Sequence, residues 1–281
     1  MKILLTGASG FTGRHFIKQA EAQGHQLVPL EADLTDREAI RQGLDSLAFD
    51  AVVHLAAISF VGHADDNAFY AVNTVGTTHL LLALSMLSTK PRRVLLASSA
   101  NVYGNCEESP IAEDQLPSPV NHYAMSKLAM EYMARTYSDR LPIIITRPFN
   151  YTGVGQSPDF LIPKLVGHFK ARSATIELGN LHVEREFNDV RMVCDAYLRL
   201  LYKGQSGETY NICSGRPYTL QTVIDMLIEL TGHIPQIKVN PKFVRQNEVL
   251  RLCGAPAKLY AVTGDRPGFS LRETLAWMLN S

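Results

Sequence analysis

The chain has 281 residues, 27 Lys plus Arg balanced by 27 Asp plus Glu, and 46% hydrophobic residues. That neutrality argues against a broad cationic surface for nucleic acid or an anionic membrane, so an anionic ligand has to be met by locally placed donors. Four scattered cysteines, Cys106, Cys194, Cys213 and Cys253, form no Cys-x-x-Cys pair; they fit reduced thiols in a cytoplasmic protein and neither a disulfide framework nor a zinc site.

Met1 to Thr6 run straight into a strand pattern with no signal peptide ahead of them, and the most apolar helical stretch, around His79 to Leu87, falls short of the ~20 residues a bilayer demands. After this strand comes Gly7-x-x-Gly10-x-x-Gly13, followed by a helical run through Phe11, Phe16, Ile17 and Ala20. Between a strand and a helix, such glycines let the backbone turn tightly and approach a pyrophosphate, whose charge rests on the free N–H groups of the helix start. Gly7, Gly10, Phe11, Thr12 and Gly13 are therefore expected to hold a dinucleotide.

Gln26 to Leu30 form a second strand. Beyond it, Thr35 with Glu38 fits a capping box for a helix through Ile40 and Leu44. Asp33, next to Leu34, lies where an adenine amine could be bound, or belongs to a polar loop; both residues are candidate cofactor contacts. The acid that holds a ribose should close the second strand, and Glu31 is the nearest. Arg14 could instead face a 2′-phosphate, which leaves NAD and NADP both open.

A third strand, Ala51 to Ala57, ends in Leu55, Ala56 and Ala57, small enough for a cofactor to pass over bare backbone. His54 within it reads as a satisfied core histidine. A helix from Asp65 to about Leu87 follows, with Asn73 inside it. Asparagine is unfavourable there, because its amide competes for backbone hydrogen bonds, so Asn73 either has a positional role beside the cofactor or is simply exposed.

The fourth strand, Arg93 to Ala97, delivers Ser98 and Ser99 at its end, and a helix then carries Tyr123 and Lys127 four residues apart on one face. A phenol exchanges protons poorly at neutral pH unless a cation stabilises its phenolate. Lys127 could supply that cation and Ser99 could hold a substrate oxygen, giving a Ser/Tyr/Lys group suited to moving a proton on or off a carbinol. The alternative is a tyrosine at the core edge and a solvated lysine.

Leu141 to Arg147 form a fifth strand leading into Pro148-Phe149-Asn150-Tyr151-Thr152-Gly153, and Tyr210 to Cys213 a sixth. Six strands alternating with helices predict an α/β fold of the Rossmann type, a doubly wound parallel sheet with its sites at the carboxyl ends. Residues 1–156 with about 188–214 would form the dinucleotide-binding domain. Residues 157–187 and 215–281 would form a smaller α/β C-terminal lobe for the substrate, its last helix capped by Ser270 and Glu273 and its Trp277 packed within it.

Taken in order, the glycine loop, the Leu55-Ala56-Ala57 strand end, Ser99, Tyr123/Lys127 and Arg147-Pro148-Phe149-Asn150 resemble the extended short-chain dehydrogenase/reductases that act on nucleotide sugars, over essentially the whole chain. The resemblance implies an NAD or NADP cofactor. It makes Tyr123 the acid/base and puts Lys127 on the nicotinamide ribose, lowering the phenol's pKa. Ser99 would bond the sugar oxygen, and Asn150 the sugar or its phosphate. Arg185 looks like the family's pyrophosphate-binding arginine; Arg245 and Glu248 resemble its Arg-x-x-Glu element, with the arginine on phosphate and the glutamate on a ribose. Bidentate arginines suit a diphosphate in a protein of no net charge; surface ion pairs are the other reading.

Residue 101, two beyond the serine, is acidic in the family's 4,6-dehydratases and cysteine in its fucose-type epimerase/reductases. Asn101 fits neither, which leaves hydride transfer at C4 with Asn101 beside the sugar. Asn150 to Gln156, Gly179-Asn180-Leu181 and Tyr210 to Gly215 look most like reductases of GDP-4-keto-6-deoxy-mannose that form GDP-rhamnose, although Tyr151 and Val154 replace a usual His and Pro. A 4-epimerase holding NAD tightly would use the same Ser/Tyr/Lys set. A redox-sensing binding protein without chemistry would be expected to lack it. A homodimer through the Asp65–Leu87 and His122–Asp139 helices is the family expectation.

Overall fold

The computed structural model describes residues 1–241, 249–264 and 268–281. The chain runs through β1 (Lys2–Thr6), α1 (Phe11–Ala22), β2 (Gln26–Leu30), α2 (Arg37–Asp45), β3 (Ala51–His54), α3 (Asp66–Phe69), a π-helical turn (Tyr70–Gly76) and α4 (Thr77–Met86). Next come β4 (Val94–Ala97), a 3-10 turn (Ala100–Tyr103), α5 (His122–Arg135), β5 (Ile143–Pro148), β6 (Tyr151–Thr152), α6 (Leu161–Lys170) and β7 (Thr175–Leu178). It continues with β8 (Glu184–Arg185), β9 (Asn188–Asp189), α7 (Val190–Lys203), β10 (Thr209–Ile212), β11 (Tyr218–Thr219) and α8 (Leu220–Thr231). The last elements are β12 (Gln236–Val239), β13 (Arg251–Leu252), α9 (Ala257–Thr263) and α10 (Leu271–Leu279).

The main sheet has six parallel strands in the order β10-β5-β4-β3-β1-β2. Its central strands are apolar on both faces, because parallel strands need crossover helices that cover both sides. Phe16 and Ala20 of α1 with Val193 and Tyr197 of α7 pack one face. Ile40 and Leu44 of α2, Leu80 and Leu84 of α4, and Met130 and Ala134 of α5 pack the other. The chain leaves β1 for β2 on one side and returns to β3 on the other, so the strand order reverses there. The resulting crevice opens at the carboxyl ends of β1 and β3.

A separate apolar core joins Ile162, Leu165 and Phe169 of α6, Ile176 and Leu178 of β7, Val223, Ile224 and Leu227 of α8, and Leu271 and Leu275 of α10. Here β7 pairs in parallel with β12. The short strands β11, β8 and β13 form a ribbon, and β6 pairs with β9. The capping box of Ser270 and Glu273 is present at the start of α10. No helix among the described residues is long and apolar enough to cross a membrane, and no group of His, Cys, Asp and Glu among them could hold a metal ion.

Three sequence expectations need correction. The cap of α2 is Asp36, whose carboxylate accepts from the Glu38 and Ala39 amides; Thr35 is engaged one turn earlier, its amide and hydroxyl both donating to Asp33 Oδ1. The helix expected from Asp65 to Leu87 contains the π-helical turn, and Asn73 lies within it. Trp277 packs against the sheet domain, edge-on to His15 of α1 and 4.0 Å from the Arg191 guanidinium of α7. Leu271 and Leu275 occupy the face of α10 that meets the lobe, and Trp277 falls on another.

Candidate active site

The glycine loop is tight because side chains cannot fit. Gly7 has φ +73°, and a Cβ there would stand 2.7 Å from the Ala56 nitrogen; at Gly13 a Cβ would stand 2.1 Å from the Gly7 carbonyl oxygen. Bare backbone therefore lines the crevice from both β1 and β3. The N-cap of α1 is Gly10, with no side-chain capping bond and no acid in the first turn, which suits the N–H groups to a pyrophosphate. The residues present fit an NAD(P) molecule.

The floor of this crevice is wired in one direction. Thr77 Oγ1 donates to the Asn73 carbonyl at 2.7 Å, so it receives the His54 Nε2–H at 2.8 Å. His54 Nδ1 must then accept from Thr6 Oγ1 at 2.6 Å, and Thr6 Oγ1 accepts from the Ala56 amide at 3.2 Å. This fixes His54 as the neutral Nε2–H tautomer. Burial first, and the Lys127 charge second, push its pKa down to about 3. Asn73 is buried: its amide donates to the Ile58 carbonyl and Ser126 Oγ and accepts from the Ile58 amide. Its side chain thus ties the chain beyond β3 to α5.

Elsewhere around the crevice, Arg14 donates to the Ser9 and Gly155 carbonyls at 2.6 and 3.1 Å. Leu34 is buried with its carbonyl bound by His79, and Asp33 is exposed on the same loop. Leu55, Ala56 and Ala57 are half-buried. Phe11 stacks on Tyr151 at 6.1 Å, and Thr12 shares a hydrogen bond with the Tyr151 phenol.

Ser99 leaves the end of β4 as the N-cap of the 3-10 turn, where its Oγ accepts from the amide and the Nδ2 of Asn101, each at 3.2 Å. With both lone pairs engaged by Asn101, the Ser99 proton points elsewhere, and the hydroxyl lies near enough to the Tyr123 phenol to pull its pKa down. Tyr123 stands in the first turn of α5, which is opened by the side chain of Asn121 accepting from the Ala124 amide. Burial raises the Tyr123 pKa and the nearby Ser99 hydroxyl opposes it.

Lys127, one turn on, is buried and donates to the Ala97 carbonyl at 2.8 Å; burial brings its pKa down to about 8, against the pull of Glu131. The Tyr123 phenol stands above its ordinary value in this structure, with burial the first cause. Loss of solvation outweighs other influences on Tyr123, and the ammonium is turned into the end of β4.

Asn150 lies exposed beyond β5, its carbonyl accepting from the Asn188 amide at 2.9 Å. The Arg185 guanidinium donates to the Glu184 and Val249 carbonyls. Arg245 and Glu248 lie outside the described residues. Sequence reasoning passed over Glu131 and treated Tyr151 only as a departure from a family pattern. A charged residue four positions after Lys127, among Leu128 and Met130, was the available signal for Glu131.

A bare-backbone crevice at the strand reversal, with a buried serine and a buried tyrosine close by, is the architecture of an NAD(P)-dependent oxidoreductase. The chain belongs to the NAD dependent epimerase/dehydratase family, whose model matches residues 3–213. It is 40% identical over 99% of its length to GDP-6-deoxy-D-talose 4-dehydrogenase of Aggregatibacter actinomycetemcomitans, covering 97% of that protein. It is 33% identical, again over 99% of its length, to GDP-6-deoxy-D-mannose reductase of Pseudomonas aeruginosa, covering 96% of that protein. The structure of RMD from Pseudomonas aeruginosa complexed with NADPH superposes with a TM-score of 0.92 at 32% identity, covering 99% of this chain and 97% of that one.

Proposed function

We propose that the protein reduces the 4-keto group of GDP-4-dehydro-6-deoxy-D-mannose with NADPH or NADH, giving GDP-D-rhamnose. The observation that carries this reading is the buried Tyr123 phenol beside Ser99 at the end of β4. Asn101 donates to Ser99 Oγ twice, so the serine proton is available to the phenol, which would keep its own to give away. A buried phenol with a raised pKa is protonated at neutral pH, as an acid delivering a proton to a developing alkoxide has to be. When bound, the coenzyme supplies hydride to the sugar carbon. Tyr123 Oη then hands its proton to the sugar oxygen, and Ser99 donates to the phenolate left behind. Lys127 adds positive charge one turn away.

Asn101 also supports a reductase over a dehydratase, since an amide offers no carboxylate to take a proton from the sugar. Gly7, Gly10, Phe11, Thr12, Gly13 and Arg14 on one side, and Leu55, Ala56 and Ala57 on the other, would hold the coenzyme, with Asp33 and Leu34 towards its adenine. Asn150, Arg185, Arg245 and Glu248 would hold the nucleotide sugar, in a cleft between residues 1–156 with 188–214 and the remaining lobe. A cytoplasmic homodimer through the α3–α4 and α5 segments is the assembly this reading carries, and Val75, Met125 and Tyr132 there are exposed.

A second reading comes from the relative named for GDP-6-deoxy-D-talose: hydride delivered to the other face of the same ketone gives that C4 epimer. Incubation with GDP-4-dehydro-6-deoxy-D-mannose and each reduced coenzyme, with absorbance at 340 nm and NMR of the product, tests both. Coenzyme oxidation with a rhamno product supports the first, and a talo product replaces it with the second. No oxidation, together with NAD retained through purification and UDP-sugar conversion without reductant, would mean a 4-epimerase.

A further inference from the structure

The proposed reaction uses Asn150 but not Arg147, which lies near the end of β5. Arg147 is buried and grips Glu131 with two hydrogen bonds, Nε to Oε1 at 2.9 Å and NH2 to Oε2 at 2.7 Å. Its NH1 donates to the Tyr103 phenol at 2.9 Å, and that phenol donates to Asn211 Oδ1 at 2.8 Å. Glu131 is 1% exposed and accepts a third bond, 2.5 Å from Ser98 Oγ.

Ser98 is the residue after Ala97, whose carbonyl receives the Lys127 ammonium. The peptide joining them is therefore held on several sides: the Ser98 amide donates to the Thr146 carbonyl at 2.7 Å, the Ser98 hydroxyl reaches Glu131, and the Ala97 oxygen faces Lys127. Glu131 is also one turn beyond Lys127 on the same face of α5. A buried ion pair adds little stability over apolar packing of the same shape, so its geometric consequence is the more informative one.

We propose that Glu131, clamped by Arg147 and Ser98, is a positioning residue for the Lys127 ammonium, fixing the peptide that receives it and setting a carboxylate one helical turn away. This rests on Lys127 belonging to the proton-transfer group. The groups that face Lys127 are His54 from β3, neutral in the native protein, the Ala97 carbonyl from β4, and Glu131 from α5, with Tyr123 one turn earlier on the same helix. Arg147 reaches it from β5 only through Glu131. Removing the carboxylate withdraws the charge that favours the ammonium, so the Lys127 pKa has to fall further below about 8.

The test uses the full chain with 13C-labelled lysines, the Lys127 signal being assigned by its loss in Lys127→Met, and the pH profile of kcat/KM for the sugar reduction. Glu131→Gln leaves a buried guanidinium unpaired and could fail to fold, so the paired variant Glu131→Met with Arg147→Met removes both charges together. Because the paired variant also lacks the Arg147 cation, it is read against Arg147→Met: the Lys127 titration and the alkaline limb of the profile should both lie about one pH unit or more lower in the paired variant. Glu131→Asp should restore part of that shift relative to Glu131→Gln. A loss of folded protein alone would lower activity equally at every pH. A folded Glu131→Gln with the wild-type Lys127 titration, or a paired variant whose Lys127 titrates as in Arg147→Met, overturns the proposal. Wild-type turnover in Lys127→Met would overturn the catalytic reading of Lys127 instead, and the NMR titration would still decide whether Glu131 acts on it.

Discussion

Thr12 Oγ1 and Tyr151 Oη lie 2.8 Å apart across 139 residues of sequence, joining the start of the coenzyme helix to the chain just beyond β5. The Tyr151 ring also stacks on Phe11, so two neighbouring residues of the glycine loop are braced by one side chain.

This brace should be measurable. Tyr151→Phe leaves the Thr12 hydroxyl without its partner and is expected to cost about 1 kcal/mol of stability. In a cycle with Thr12→Val the two losses should overlap, with a coupling of about 0.5–1.5 kcal/mol by urea denaturation. Strict additivity would show that the pair carries no energy. Coenzyme Kd should weaken in Tyr151→Phe, because the loop carrying Gly10 and Gly13 loses a support.

Tyr123→Phe removes the hydroxyl proposed as the proton donor while keeping the ring and its packing against Phe69. Turnover should fall by at least ~100-fold, the usual scale for losing an acid, with coenzyme binding nearly intact by fluorescence titration. Normal turnover would take Tyr123 out of the mechanism.

Gly13→Ala should abolish coenzyme binding. Its Cβ would need to sit 2.1 Å from the Gly7 oxygen and 2.7 Å from the Ala8 oxygen, backbone atoms with no rotamer to yield. A Gly13→Ala protein that binds NADPH normally would mean the coenzyme lies elsewhere.

His54 makes the protein acid-sensitive. Its pKa falls from 6.5 to about 3 on folding, so between these values the unfolded chain binds a proton that the native chain does not. Its contribution is fully present above about pH 6.5 and is lost as pH falls towards 3, at up to about 1.4 kcal/mol per pH unit. Denaturation at pH 7 and pH 5 should show a smaller difference for His54→Gln than for wild type. Equal differences would place the acid sensitivity in other groups.

The periodicity of the chain determined much of this. Runs such as Ile3-Leu4-Leu5 and Val94-Leu95-Leu96 read as buried strands, and a glycine triplet between a strand and a helix marks the crevice, because both are properties of neighbouring residues. The spacing of Tyr123 and Lys127 likewise put them on one helix face. Tertiary structure decided what those groups touch. Burial, which no local pattern specifies, raises the phenol and brings the lysine pKa down, and the strand order alone brings Ser98 and Arg147 to Glu131, 33 and 16 residues away from it. The side of α10 on which Trp277 packs, the π-helical turn around Asn73 and the choice of Asp36 over Thr35 as a cap were settled in the same way. Each depends on which neighbour the fold supplies to a polar or aromatic group, and contacts between distant segments leave no periodic trace in the sequence.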